Sequence, residues 1–224
     1  MPQDITAVHT RDIVSWLIEE FNDNKRELFK TQGILFSKIN SAQRVIARET
    51  KSIKEDAYIK LVPDKVYYNY AELPIVISDI VQIESVVTVD ENDTESKPLS
   101  YKNQPTFEQI IKTDASIRLP KYYGFDEQQF FYWKPFSDAT HRMLIRCSRY
   151  PHIDERVNYD KDPIIPTKYY EALKYKTAQL CCSIDDSLDG RANSYKRQYD
   201  EEMYELSVNL KTLDTHTQIY SDRL

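Results

Sequence analysis

The stretch "QQFFYWKPFSDATHRMLIRCSRYP", residues 128 to 151, sets four aromatics in a row and follows them with scattered basic residues. Aromatics beside arginines suit either a stacking platform for nucleic acid or the packed side of a β-sheet. Strand geometry sends alternate residues to opposite faces, so Phe130 and Tyr132 share one side and Phe131 and Trp133 the other. Both faces are then aromatic, which predicts a central strand covered on both sides, or one whose second side meets another subunit. The flanking "FDEQQ" and "KPFSD" are not basic, whereas single-strand platforms bring a basic groove with them. In the following run, Met143, Ile145 and Cys147 alternate with Arg142, Leu144, Arg146 and Ser148. That pattern predicts one covered face and one largely wet.

Outward from this stretch, strand-like runs reach back to Tyr58: "YIKLVP", "KVYYNY", "IVQIESVVTVD" and "ASIRLP" are rich in Val, Ile and Tyr and bounded by Pro, Asp and Asn. The polar "DENDTESKP", residues 90 to 98, reads as a turn that projects as a hairpin tip. Before Tyr58 the period is helical. Thr10 is placed to cap a helix from Arg11 to about Asn22, with Ile13, Val14, Trp16, Leu17, Ile18 and Phe21 on one broad face. A second helix is expected from near Ser37, with Ile39, Ala42, Val45, Ile46 and Ile53 at helical spacing and Gly33 in the connection. After residue 151, Pro166 suits the first turn of a long helix. Asp189-Gly190 is expected to break it, with Gly190 left-handed. A further helix from about Asn193 carries Tyr195, Tyr199, Met203, Leu206 and Leu210.

The expected fold class is therefore α+β. An N-terminal α-hairpin (1–57) and long C-terminal helices (152–210) form a helical bundle, a mainly antiparallel β-module (58–151) is inserted between them, and a polar tail (211–224) follows.

Composition bounds the function. The 224 residues include 41% hydrophobic and 29% charged, as in folded soluble proteins. No run of 18 apolar residues occurs, and "MPQDITAVHTRD" lacks the basic and apolar regions of a signal peptide, which predicts a non-exported chain without a membrane partner. A net charge of −6 argues against a tight grip on a nucleic-acid backbone. Seventeen Tyr against three Gly favour packed interfaces over phosphate-cradling loops. Cys147, Cys181 and Cys182 fit neither a disulfide framework nor a metal knuckle, and read as small buried hydrophobes.

No catalytic signature is present: GxSxG, GxxxxGK[ST] and GxGxxG are all missing. The four histidines, His9, His141, His152 and His216, form no HExxH or HxH pair, although His141 and His152 are free to meet after folding. "DDSLDG" puts Asp185, Ser187, Asp189 and Gly190 at calcium-loop positions, but the position that must supply a bidentate carboxylate is Lys196. Expected are no enzyme activity, no metal and no cofactor. The rival from another class is a sequence-tolerant nucleic-acid binder using the aromatic strand.

"RLPKYYGFDEQQFFYWKPFSDATHRMLIRCSRYP", followed by "DKDPIIPTKYYEALKYKTAQLCC", resembles the C-terminal half of tailed-bacteriophage head-to-tail adaptors, the connector or tail tubular protein A-like proteins. "GILFSKINSAQRVIARE" is similar to their early helix with an Asn-x-Ala step, and "YAELP" (70–74) to their Tyr-x-x-Leu-Pro strand start. The likeness spans roughly residues 10 to 190 and departs between Asp90 and Thr113.

This resemblance implies a virion protein of the neck, assembled in the host cytoplasm. It implies a homo-oligomeric ring, typically of about twelve copies, bound to the portal protein and to the next tail or neck component, with genomic dsDNA passing through the channel. Carried onto this chain, Thr215 to Leu224 docks on the portal with Ile219, Tyr220 and Leu224 as apolar anchors, and a frayed terminus reads equally well. Phe131 and Trp133 are candidates for the subunit interface. Asp90, Asn92 and Asp93, in the loop to Lys97, are candidates for contact with the next tail component, although the composition suits any exposed loop.

Overall fold

The computed structural model describes residues 9–221 other than 24, 26, 63–64, 114–119, 127–128 and 133–140. Two compact units emerge, Met1–Ser52 with Pro151–Leu224, and Ile53–Tyr150. The class is α+β: helices dominate the first unit and strands the second.

In the helical unit, α1 (Thr10–Glu20) buries Ile13, Val14 and Leu17, the apolar face read from its spacing. Its N-cap is His9, not Thr10, and His9 makes no side-chain cap bond. Thr10 is the first helical residue instead, and Asp162 supplies the cap from far along the chain: its Oδ1 accepts the Thr10 N–H at 2.7 Å. Between α1 and the next helix the buried Asp23 carboxylate accepts the N–H groups of Leu28 (2.9 Å) and Phe29 (2.7 Å). That turn drives Phe29 fully into the core, edge-on to Phe21 at 5.4 Å.

Helix α2 (Gln32–Thr50) starts earlier than its spacing suggested, so Gly33 lies in its first turn and Leu35 joins Ile39, Ala42 and Ile46 in the core. Lys51 ends it in the left-handed region, φ 52°, with its N–H on the Ala47 carbonyl. Ile53 therefore leaves the helical stripe and is buried in the β-unit. Polar side chains of α2 then fix the returning chain. Asn40 accepts the Val157 N–H (2.8 Å) and donates to the Val157 carbonyl (3.1 Å), and fully buried Gln43 accepts the Ile164 N–H (3.1 Å).

Two further helices close the helical core. Pro166 precedes a single 3-10 turn (Thr167–Tyr169) that runs into α4 (Tyr170–Cys181), which buries Ala172, Leu173 and Ala178 against α1 and α2. The break expected at Asp189-Gly190 falls earlier, in 3-10 turns from Cys182 to Leu188. Gly190 is helical, with no positive φ, and opens the 33-residue α5 (Asp189–Ser221). Its Tyr195 and Tyr199 enter the same core, with Met203 and Leu206 packed at its margin. The segment read as a tail from residue 211 continues α5 as far as Ser221.

Among the described residues the β-unit holds two sheets. In the first, β7 (Arg142–Arg149) lies between β1 (Lys54–Lys60) and β3 (Ile80–Val89), all antiparallel, with Ile145 opposite both Ala57 and Val86. The second has the order β2 (Tyr67–Asn69), β6 (Gln129–Tyr132), β5 (Tyr122–Phe125), β4 (Ser100–Tyr101), in which β4 and β5 run parallel and α3 (Gln104–Thr113) connects them. Such a connection is what parallel neighbours require. One core draws on both sheets, from Ile59, Tyr68, Val86 and Leu99 to Tyr123, Met143 and Ile145. The run "ASIRLP" lies outside the described residues except for buried Pro120.

The second face of β7 is not largely wet. Leu144 is buried there with Val87 and Val89, and Ser148 is buried too, because β7 is the central strand and its neighbours close over it. The strands at the two ends of the unit meet: the Arg149 N–H donates to the Ile53 carbonyl at 3.0 Å. Beside this pair, Arg149 is ion-paired with Glu55, and both side chains are largely shielded.

Candidate interaction surfaces

The loop after β3 is built by Asp90. Its Oδ1 accepts the N–H of Asn92 (2.9 Å) and Thr94 (2.8 Å), which pulls its carboxyl below the usual carboxylate range, the Thr94 N–H being the main cause. Asp93 takes the left-handed conformation at φ 59°, which Asp tolerates, and its carboxylate reaches Arg142 at 2.5 Å. Two residues on, Glu95 forms a two-pronged pair with Arg146, which also approaches Asp56 at 3.8 Å. The Arg146 guanidinium lowers the Glu95 carboxyl. Arg142 lies 5.0 Å over the Tyr58 ring, and Lys54 pairs with Glu84 across the sheet. Asp90, Asn92 and Asp93 therefore stand on a hydrogen-bonded, exposed tip tied to the central strand.

Among the other residues singled out from the sequence, β6 has a neighbour on each side, the central position expected for the aromatic run. Phe131 pairs in register with Tyr67, whose side chain is exposed, and with Gly124. Phe130 pairs with buried Tyr68 and with Phe125. Trp133 and Leu224 lie outside the described residues. Ile219 and Tyr220 belong to the last turn and a half of α5.

His9 Nδ1 lies 2.8 Å from Asp162 Oδ2, and His152 and Glu155 cap one another around a 3-10 turn. In the calcium-like stretch, Asp185 accepts the Ser187 N–H at 2.9 Å, and the Ser187 hydroxyl and N–H hold its carboxyl low. Among the described residues no group of three or more His, Cys, Asp or Glu is placed to hold a metal ion. Burial raises all three thiols, Cys147 to about 11 and Cys181 to about 12, so each stays protonated and unreactive near neutrality.

Two features of the helical unit had no signature in the sequence. The first is how α5 is held. Tyr195 donates to Glu20 at 2.6 Å, Arg191 pairs with the same carboxylate at 2.9 Å, and Tyr199 donates to Glu49 at 2.5 Å. Two tyrosines one turn apart thus fasten α5 to the last turns of α1 and α2. The spacing of the tyrosines was visible, but their carboxylate partners lie some 150 to 175 residues away and become neighbours only on folding. The second is a groove along α2, two adjoining hollows of about 300 and 590 Å³ that share Phe36 and Asn158.

A comparison with known families matches residues 10–220 to the model described as SU10 adaptor protein. No curated protein sequence matches the chain.

Proposed function

Matched over residues 10–220, the chain belongs to the SU10 adaptor protein family, a family of phage head-to-tail adaptors, and on that footing we propose that it forms a ring under the portal of a tailed phage. A phage adaptor is a structural virion component, so the role the family implies is non-enzymatic. The ring, of about twelve copies in cyclic arrangement, extends the DNA channel and offers the platform on which the tail is built. Assembly takes place in the host cytoplasm, on the portal of a filled head. The net charge of −6 suits a conduit that lets DNA pass without gripping it. Among the described residues no helix is long and apolar enough to cross a membrane.

The observation that carries the portal contact is helix α5. At about 1.5 Å per residue its 33 residues reach roughly 50 Å. Tyr195, Tyr199, Met203 and Leu206 seat it on the helical core, and the helix runs on to Ser221. That supports a terminal segment, Thr215 to Leu224, whose Ile219, Tyr220 and Leu224 anchor on the portal. The tip at Asp90, Asn92 and Asp93 is proposed to meet the next tail component, and Phe131 and Trp133 a neighbouring copy.

Electron microscopy of the chain mixed with its cognate portal tests this reading. Rings on the portal are expected, and removal of residues 215–224 is expected to abolish them while leaving the thermal melt of the chain nearly unchanged. A chain that stays single and ignores the portal rejects the proposal.

A further inference from the structure

The helical unit carries two exposed patches of opposite character. On the groove side, Phe36 and Tyr159 meet edge to face at 4.9 Å. Tyr159 and Ile153 are left 76% and 75% exposed, unusual for large apolar side chains. The rim carries Arg11, Arg44 and Arg156, against a single carboxylate, Asp154. Among the described residues neither Arg11 nor Arg156 has an ion-pair partner. In a chain of net charge −6 this is a local excess of positive charge.

On α5 the rotation is fixed, because Tyr199, Met203 and Leu206 face the core. Tyr204 and Val208, one turn apart, therefore face away and are 70% and 42% exposed. Exposed Asp200, Glu201 and Glu205 flank them, and among the described residues only Glu201 is answered, by Arg197 at 3.4 Å. This patch is an apolar centre with an acidic border; the groove is an apolar centre with a basic border.

We infer that the Tyr204–Val208 face of α5 in one copy docks into the Phe36–Tyr159 groove of the next, as a helix laid in a groove. Tyr204 and Val208 cover Tyr159 and Ile153, and Asp200 and Glu205 answer Arg156 and Arg11. The two patches differ, so the contact is head to tail, the type that closes into a ring. The inference rests on the ring reading and adds to it the residues through which copies join.

The test uses the full chain carrying both Tyr159→Cys and Tyr204→Cys, mixed with the cognate portal and oxidised. The native cysteines are buried and contribute little background. A ladder of covalent multimers is expected, about tenfold more abundant than with either cysteine alone. Rings seen by microscopy without a ladder, or a bridge formed inside one chain, overturn the inference and leave the ring reading standing. If no rings form on the portal, both fall.

Charge reversal is the second arm. Arg11→Glu with Arg156→Glu, or Asp200→Lys with Glu205→Lys, is expected to cut ring yield by about tenfold, and all four together to restore it. Failure to restore overturns the inference. So does loss of single-copy portal binding in the α5 pair alone, which assigns that face to the portal.

Discussion

Asp162 does at one residue what the sequence assigned to another. Thr10 has the right chemistry for a cap, but it lies inside the helix and donates its hydroxyl to the Lys161 carbonyl, while Asp162 takes its N–H. That N–H, then His9, keeps the Asp162 carboxyl below the ordinary carboxylate range. A depressed pKa means stability that is complete above the unfolded value and lost as pH falls through the folded one. Asp162→Ala is expected to cost about 0.5–1 kcal/mol at neutral pH, the low end for a lost cap because the side chain is half exposed. In thermal melts its gap from the unchanged chain should persist down to about pH 4 and close below that. A gap independent of pH would show that the carboxylate charge is irrelevant. No local pattern announces such a cap, since the partners are 152 residues apart. The Asp90 turn could be read in advance, because an Asx side chain bonds to the backbone beside it.

At the level of elements, helix α5 is held by paired Tyr–carboxylate bonds as well as by its apolar stripe. Hydrogen bonds to charged groups contribute about 1.5–3 kcal/mol each. Tyr199→Phe is expected to fall near the lower figure, because among the described residues its hydroxyl alone reaches Glu49, and Tyr195→Phe below it, because Arg191 still holds Glu20. Hydrogen exchange should show faster opening of α5 around residues 195–206 in the double variant, with α2 little changed; uniform acceleration would mean that α5 is not fastened separately.

Periodicity was enough to find the apolar faces of α1, α2 and α5 and most strands of the first sheet, because each pattern is written in residues a turn or a pleat apart. It failed where tertiary context decides. Lys51 turns left-handed and ends α2 although Ile53 keeps the helical spacing. Gly190 is helical although Asp-Gly ordinarily breaks a helix. Helix α3 lies in a stretch where no family pattern was seen. Leu144 is buried because β7 has a strand on each side, which alternation along one strand cannot tell.

At the scale of the whole molecule, the family was legible because its marks, from the Asn40 step to the Pro-rich run before α4, are spread along the chain. The candidate surfaces were less so. The groove joins Phe36 to Tyr159, and nothing local to either residue announces it. The Arg149–Ile53 hydrogen bond bears on the order in which the molecule folds. To form its core, the helical unit must bring α2 and α4 together across an intervening chain of roughly a hundred residues. While that chain is unfolded, closing it costs about 3 kcal/mol more than closing a short turn. Once β1 and β7 have paired, its two ends are already held side by side. The β-unit then acts as a clasp, and the helical core is expected to form after it. Trp16 belongs to the helical core and reports its formation in refolding when Trp133 is replaced by Phe. Ile145→Ala, which loosens the clasp by about 2–5 kcal/mol, should slow the Trp16 signal tenfold or more; an unchanged rate would mean that the helices find each other first.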